Sequence, residues 1–164
     1  LAMLIGYQHL FFDTQLVLML HVVGMFAPGF FTGNLINRFG TINIVLAGTL
    51  LQIIAICVAL SGTGVTFFWV SLLLLGIGWN FSFTAGTRLL TQVHTPAEQG
   101  KVQGTNDFIV FTGMAISSIF SGTLYHFFGW QWVNMAAIPM ALLIIASAVW
   151  LIFVKRTNNP STIT

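Results

Sequence analysis

No lysine, arginine, aspartate or glutamate occurs from Phe39 through Thr87, nor from Phe108 through Val154. Each of these stretches is about twice the ~20 residues that carry a helix across a bilayer. In hydrocarbon every backbone polar group must be bonded internally, so each stretch is expected to be a helical hairpin that crosses twice. The breaks fall where turn chemistry puts them, at Ser61-Gly62-Thr63-Gly64 and at Phe127-Phe128-Gly129-Trp130-Gln131. Thr14 to Asn37 is also uncharged and long enough to cross with some tilt.

Five spans are therefore expected, at about 14–37, 42–60, 65–90, 103–126 and 131–154, in a single membrane domain covering 1–164. The fold class is all-α integral membrane, a polytopic helical bundle. Composition agrees: 5% of residues are charged and the mean hydropathy is +0.94, where a soluble domain carries about a quarter charged residues.

Threading the spans alternately through the bilayer puts Arg38, Arg88, Lys101, Lys155 and Arg156, all five basic residues, on one side. That side is expected to be cytoplasmic, with the tail 155–164 inside and the segment 6–13 outside, as in a multi-pass protein of the inner membrane. Juxtamembrane basic residues account for the net charge of +2 and the pI of about 9.1 without any nucleic-acid partner. Cys57 is alone and cannot pair within the chain. The sequon Asn80-Phe81-Ser82 falls in mid-span, out of reach of glycosylation. Leu1 to Ile5 looks like the stub of a helix that began upstream, and the chain is expected to be part of something longer.

Two cytoplasmic loops carry motifs. Gly33-x-Leu35-x-Asn37-Arg38-x-Gly40 follows the first span, and Pro96-Ala97-Glu98-Gln99-Gly100-Lys101-Val102-Gln103-Gly104 precedes the fourth. Their order and side resemble the major facilitator superfamily, whose halves carry G-x-L-x-D-R-x-G between their second and third helices and a Pro-x-Glu, Arg-Gly loop before the fifth. Asn37 stands where the acidic residue would be, and Gln99 where the arginine would be. By this resemblance the five spans correspond to the eighth to twelfth helices of a transporter, and the stub to the end of the seventh. It implies the C-terminal half of an alternating-access carrier for a small molecule, with the bilayer and a missing N-terminal half as partners and no enzymatic activity. The loop with Gly33, Asn37, Arg38 and Gly40 is then a conformational latch, to which Arg88 and Asp107 contribute. The alternative is a stand-alone five-helix scaffold or assembly subunit.

Small residues suggest packing faces and hinges. Gly29-x-x-x-Gly33 allows close helix approach, and Gly40 a tight turn. Gly24 and Pro28 are expected to loosen and kink the first span. Gly113, Ser117 and Ser121 repeat every four residues on the fourth.

Polar groups at membrane depth cost free energy unless paired or solvated, so they are the candidate substrate contacts. These are His21, Trp79, Asn80 and Asn106. His21 reads equally as a histidine bonded between helices, and Trp79 and Asn80 as packing. Asn106 and Asp107 are expected in the first turn of the fourth helix, where a carboxylate gains from the positive helix end. No cofactor or metal is expected. If transport is coupled to protons, His21 and Asp107 are the groups that could titrate. Haem ligation would need histidines at matching depth, which His94 and His126 do not supply, and no Gly-x-Gly-Asp, phosphate loop or Cys-x-x-Cys is present. With so few charges in the spans, a neutral or amphipathic substrate fits better than an ionic one.

Overall fold

A computed structural model describes residues 2–92 and 95–158. After a single π-helical turn at Ala2–Gly6, six helices follow: α1 Phe11–Phe26, α2 Gly29–Phe39, α3 Thr41–Ser61, α4 Val65–Leu90, α5 Gln99–Phe128 and α6 Trp130–Asn158. Four are long and apolar enough to cross a membrane, and α1 with α2, bent by 43° at their junction, meet the same test as a pair and make five if the two count as one span. The tail from residue 159 onward and His94 lie outside the described residues.

The first crossing is therefore broken rather than merely kinked. Pro28 has no N–H, so the Gly24 carbonyl loses its helical partner, and the helix restarts with Thr32 N–H bonded to the Pro28 carbonyl. Gly40, at φ 86°, turns α2 into α3 with a single residue. Gly129, at φ 82°, does the same between α5 and α6. Both conformations are open to glycine and strained for other residues.

The fourth expected span begins earlier than the charge pattern suggested. Ahead of it Glu98 Oε2 accepts from the Thr95 hydroxyl at 2.7 Å and from its backbone N–H at 3.3 Å, which ties the turn that leads into the helix. The helix proper runs from Gln99, so Asn106 and Asp107 lie two turns inside α5 and not in its first turn. The electrostatic benefit of a helix N-terminus fades within that first turn and does not reach Asp107.

Packing centres on α4. It makes extensive contact with α3 on one side and with α1 on the other, while α6 lies against α3. Glycines bring the backbones together: a methyl group at Gly48 would sit 2.7 Å from the Gly78 carbonyl oxygen, and one at Gly76 would sit 2.5 Å from that of His21. Gly24 meets the Leu73 carbonyl in the same way. With no hydrophobic force between helices in lipid, such close backbone approach supplies the dispersion contacts that hold them. Near the basic end, Ile36, Ile44, Val45, Ala85 and Ala148 form a cluster that ties α2, α3, α4 and α6. At the opposite end Phe68 packs against Trp130 with ring centroids 5.2 Å apart, and Trp130 Nε1–H donates to the Ala59 carbonyl at 3.1 Å.

Candidate functional site

The break in the first crossing is met by α4. Asn80 is buried, with 6% of its surface exposed. Its Nδ2 donates to the Met25 carbonyl at 2.7 Å, one residue past the point where Pro28 interrupts the ladder. The Thr32 hydroxyl lies 2.7 Å from both the Pro28 carbonyl oxygen and Asn80 Oδ1, so its proton can go to either. Asn80 thus joins the two pieces of the broken helix, Met25 above the break and Thr32 below it. An amide in hydrocarbon is costly when unpaired, and backbone groups freed at a break need partners; each need meets the other. Sequence reading singled out Asn80 and Pro28 but not Thr32, whose place one turn after the proline was the available signal.

Higher on the same interface, His21 Nδ1 is 2.8 Å from the Leu72 carbonyl oxygen. A carbonyl only accepts, which assigns the proton to Nδ1 and leaves Nε2 as an acceptor in the neutral ring. His21 is therefore bonded between helices, one of the two readings open from sequence. Trp79 is half-buried beside Asn80, its ring stacked on Phe83 with centroids 4.7 Å apart and planes within 7°. Gln52 of α3 lays its stem against Gly78.

Asn106 and Asp107 are not brought to this group. Asn106 Nδ2 donates to Asp107 Oδ1 at 3.2 Å, and Asn106 lines a cleft with Leu90, Lys101 and Thr105 near the basic end. Among the described residues no ion pair joins Asp107 to Arg38 or Arg88. Arg38 instead lies over the Phe39 ring, its Cζ 5.3 Å from the centroid, a cation–π contact suited to the membrane edge. Arg88 is exposed in the last turn of α4.

The small-residue faces divide. Gly24 and Gly76 are closed against each other's helices, whereas Gly33 and Gly113 have no heavy atom within 4 Å of where a side chain would begin. Gly29 has only the Asn80 amide nearby, at 3.5 Å. Ser117 is exposed and Ser121 half-buried, its hydroxyl donating to the Ser118 carbonyl. The faces of Gly33 and Gly113 are thus uncovered here, and the close packing expected of them is not made among the described residues.

No cluster of three or more metal-ligating side chains occurs among the described residues. A bundle of apolar crossings, joined through glycine contacts and broken once at mid-depth where a neighbour's amide completes the backbone, defines an all-α polytopic membrane protein. The chain belongs to the Major Facilitator Superfamily, whose model matches residues 6–163. It is 44% identical over 142 residues to the riboflavin transporter RfnT of Brucella anthropi, covering 87% of this chain and 36% of that protein. Two uncharacterized MFS-type transporters of Bacillus subtilis are also similar. YddS is 29% identical over 140 residues, covering 84% of this chain and 32% of that protein. YdeG is 30% identical over 137 residues, covering 82% and 32%. The chain thus spans about a third of the length of the curated relatives it matches.

Proposed function

We propose that the chain is the C-terminal part of a secondary carrier that moves riboflavin, or a flavin close to it, across the inner membrane. One observation carries this: the 44% identity, across 87% of the chain, to a protein named as a riboflavin transporter. The chemistry is compatible. Riboflavin is uncharged, flat and amphipathic, and spans without an acidic or basic residue from Phe39 through Thr87 have no ion to offer a charged substrate.

On this reading an N-terminal half supplies the other wall of the site, and the two halves rock around it. The basic loop ends face the cytoplasm, with the tail inside. Gly33, Asn37 and Arg38 at the end of α2, with Gly40 at the turn into α3, form the latch, and Asp107 and Arg88 engage it in another state of the cycle. Asn37 can hydrogen-bond but adds no charge, so the latch is weaker than an acidic residue would make it.

The test is uptake of labelled riboflavin by a riboflavin auxotroph expressing the full-length gene. Growth on low external riboflavin, with uptake competed by excess unlabelled flavin, is the expected result. Full expression in the membrane with uptake no higher than in vector-only cells would sink the flavin reading.

A further inference from the structure

One strip of α4 has features that packing within this chain does not use. Leu72, Leu75, Trp79, Phe83 and Gly86 recur at i, i+3, i+7, i+11 and i+14, which places them along one face of the helix. At one end of the strip the Leu72 carbonyl holds the His21 ring. About 10 Å along the axis, by a rise of ~1.5 Å per residue, stands Trp79, with Phe83 one turn beyond it.

Rings that are parallel within 7° and belong to residues four apart in one helix stack along its axis. Phe83 therefore covers one face of the indole, and the other face is turned toward the level of Leu75 and His21. Leu75, one turn back on that side, is 38% exposed, and Trp79 itself is half-buried. Beyond Phe83, Gly86 has no heavy atom within 4 Å of where a side chain would begin. A buried indole N–H usually finds an acceptor, as Trp130 does in the Ala59 carbonyl. Trp79 has no such bond among the described residues, so its donor is available. His21 Nε2, left as an acceptor by the bond at Nδ1, is available at the other end of the same strip.

We propose that Trp79 is the stacking platform for the isoalloxazine ring of the flavin, backed by Phe83, with His21 Nε2 accepting a hydrogen bond from the polar edge of the ring or from a ribityl hydroxyl. The inference rests on the flavin reading above and names the residues of this chain that would recognise the ring. A flat aromatic ring gains from a parallel indole face, and the imidazole acceptor lies on the side toward which that face is turned. Neither contact needs a charge, in keeping with a helix that carries none before Arg88. Asn80, on the adjoining face, is already occupied by Met25 and Thr32 and takes no part.

The experiment uses the full-length transporter in lipid nanodiscs, titrated with riboflavin and read both as a dissociation constant and as flavin emission. A stacked indole quenches flavin emission by electron transfer, and a phenyl ring does so far less. Trp79→Phe should keep the dissociation constant within about threefold while restoring most of the lost emission. Trp79→Ala should weaken binding by roughly 5- to 150-fold, the range for loss of one stacking aromatic. If wild type binds riboflavin and Trp79→Phe leaves the quenching unchanged, the platform is elsewhere and the flavin reading stands. If wild type binds no riboflavin, the flavin reading fails and the platform for it falls too. Should Trp79→Ala not fold, the emission of Trp79→Phe decides alone.

Discussion

Helices α4 and α5 are both long, apolar and marked by glycine and serine, yet they differ in what the chain does with them. On α4, Gly76, Gly78 and Asn80 are buried, each against a named neighbour on α1 or α3. On α5 no residue is buried, and Gly113 faces open space. Small residues give a helix the capacity for close packing but do not say against what. The α4 surface is an interface completed within the chain, and the α5 surface is one that this chain leaves uncovered.

The sharpest way to break that comparison is Gly76→Leu. A side chain there meets the His21 carbonyl oxygen at 2.5 Å and the Met25 nitrogen at 3.1 Å. Both are backbone atoms, which yield only if α1 and α4 separate. The cost should exceed the ~1–3 kcal/mol of ordinary overpacking, and the full-length protein should be lost from the monodisperse peak on size exclusion. Wild-type thermal stability for this variant would mean that α1 and α4 are not in backbone contact at that level.

Asn80→Ala should have a smaller effect. It leaves the Met25 carbonyl without its donor and removes one of two acceptors from Thr32. Membrane double-mutant cycles put such bonds near ~0.6 kcal/mol, with a maximum of ~1.7, so a loss of about 1 kcal/mol in reversible unfolding is expected, with expression retained. Transport should fall further than stability, because the break at Pro28 loses the group that holds its two segments in register. Combining Asn80→Ala with Thr32→Val tests the shared bond: the double mutant should cost less than the two single changes added together. Strict additivity would show that the two residues act apart.

The hairpins were legible because absence of charge over some forty residues is a strong signal, and Gly62, Gly64 and Gly129 mark the turns unambiguously. The kink at Pro28 was legible as well, since a missing N–H has a local consequence. Its repair was not: nothing local in Asn80 says that it sits opposite Met25, a residue 55 positions away. The same holds for Gly33 and Gly113, which read as packing glycines although no atom of this chain's described residues comes within 4 Å of where a side chain would begin. Asp107 was misplaced for a different reason. Apolar residues alone put the helix start near 103, while the helix runs back through the polar residues to Gln99, which apolar periodicity does not register.

The turn from Thr95 to Glu98 supports a third change, Thr95→Ala, which removes the hydroxyl donor to Glu98. Loss of one such hydrogen bond costs about 1 kcal/mol, here confined to the turn that leads into α5. Faster amide exchange around 96–101, with rates in α4 unchanged, is the expected pattern in the full-length protein. Exchange that rises equally in both helices would show that α5 is coupled to the α4 interface more tightly than their separate packing implies.

Gly113→Leu should have the smallest effect on folding. No heavy atom lies within 4 Å of the position, so the added side chain displaces nothing in this chain. Substitutions at such surfaces usually stay within about 0.5 kcal/mol. If the thermal stability of the full-length variant holds while transport slows, the α5 face is a surface that opens and closes during the cycle, since bulk there would obstruct movement without disturbing the resting fold. A loss of stability as large as that of Gly76→Leu would carry the opposite lesson. The face would then be sealed permanently by the rest of the protein, and the contrast between α4 and α5 would reflect only where their partners lie in the sequence.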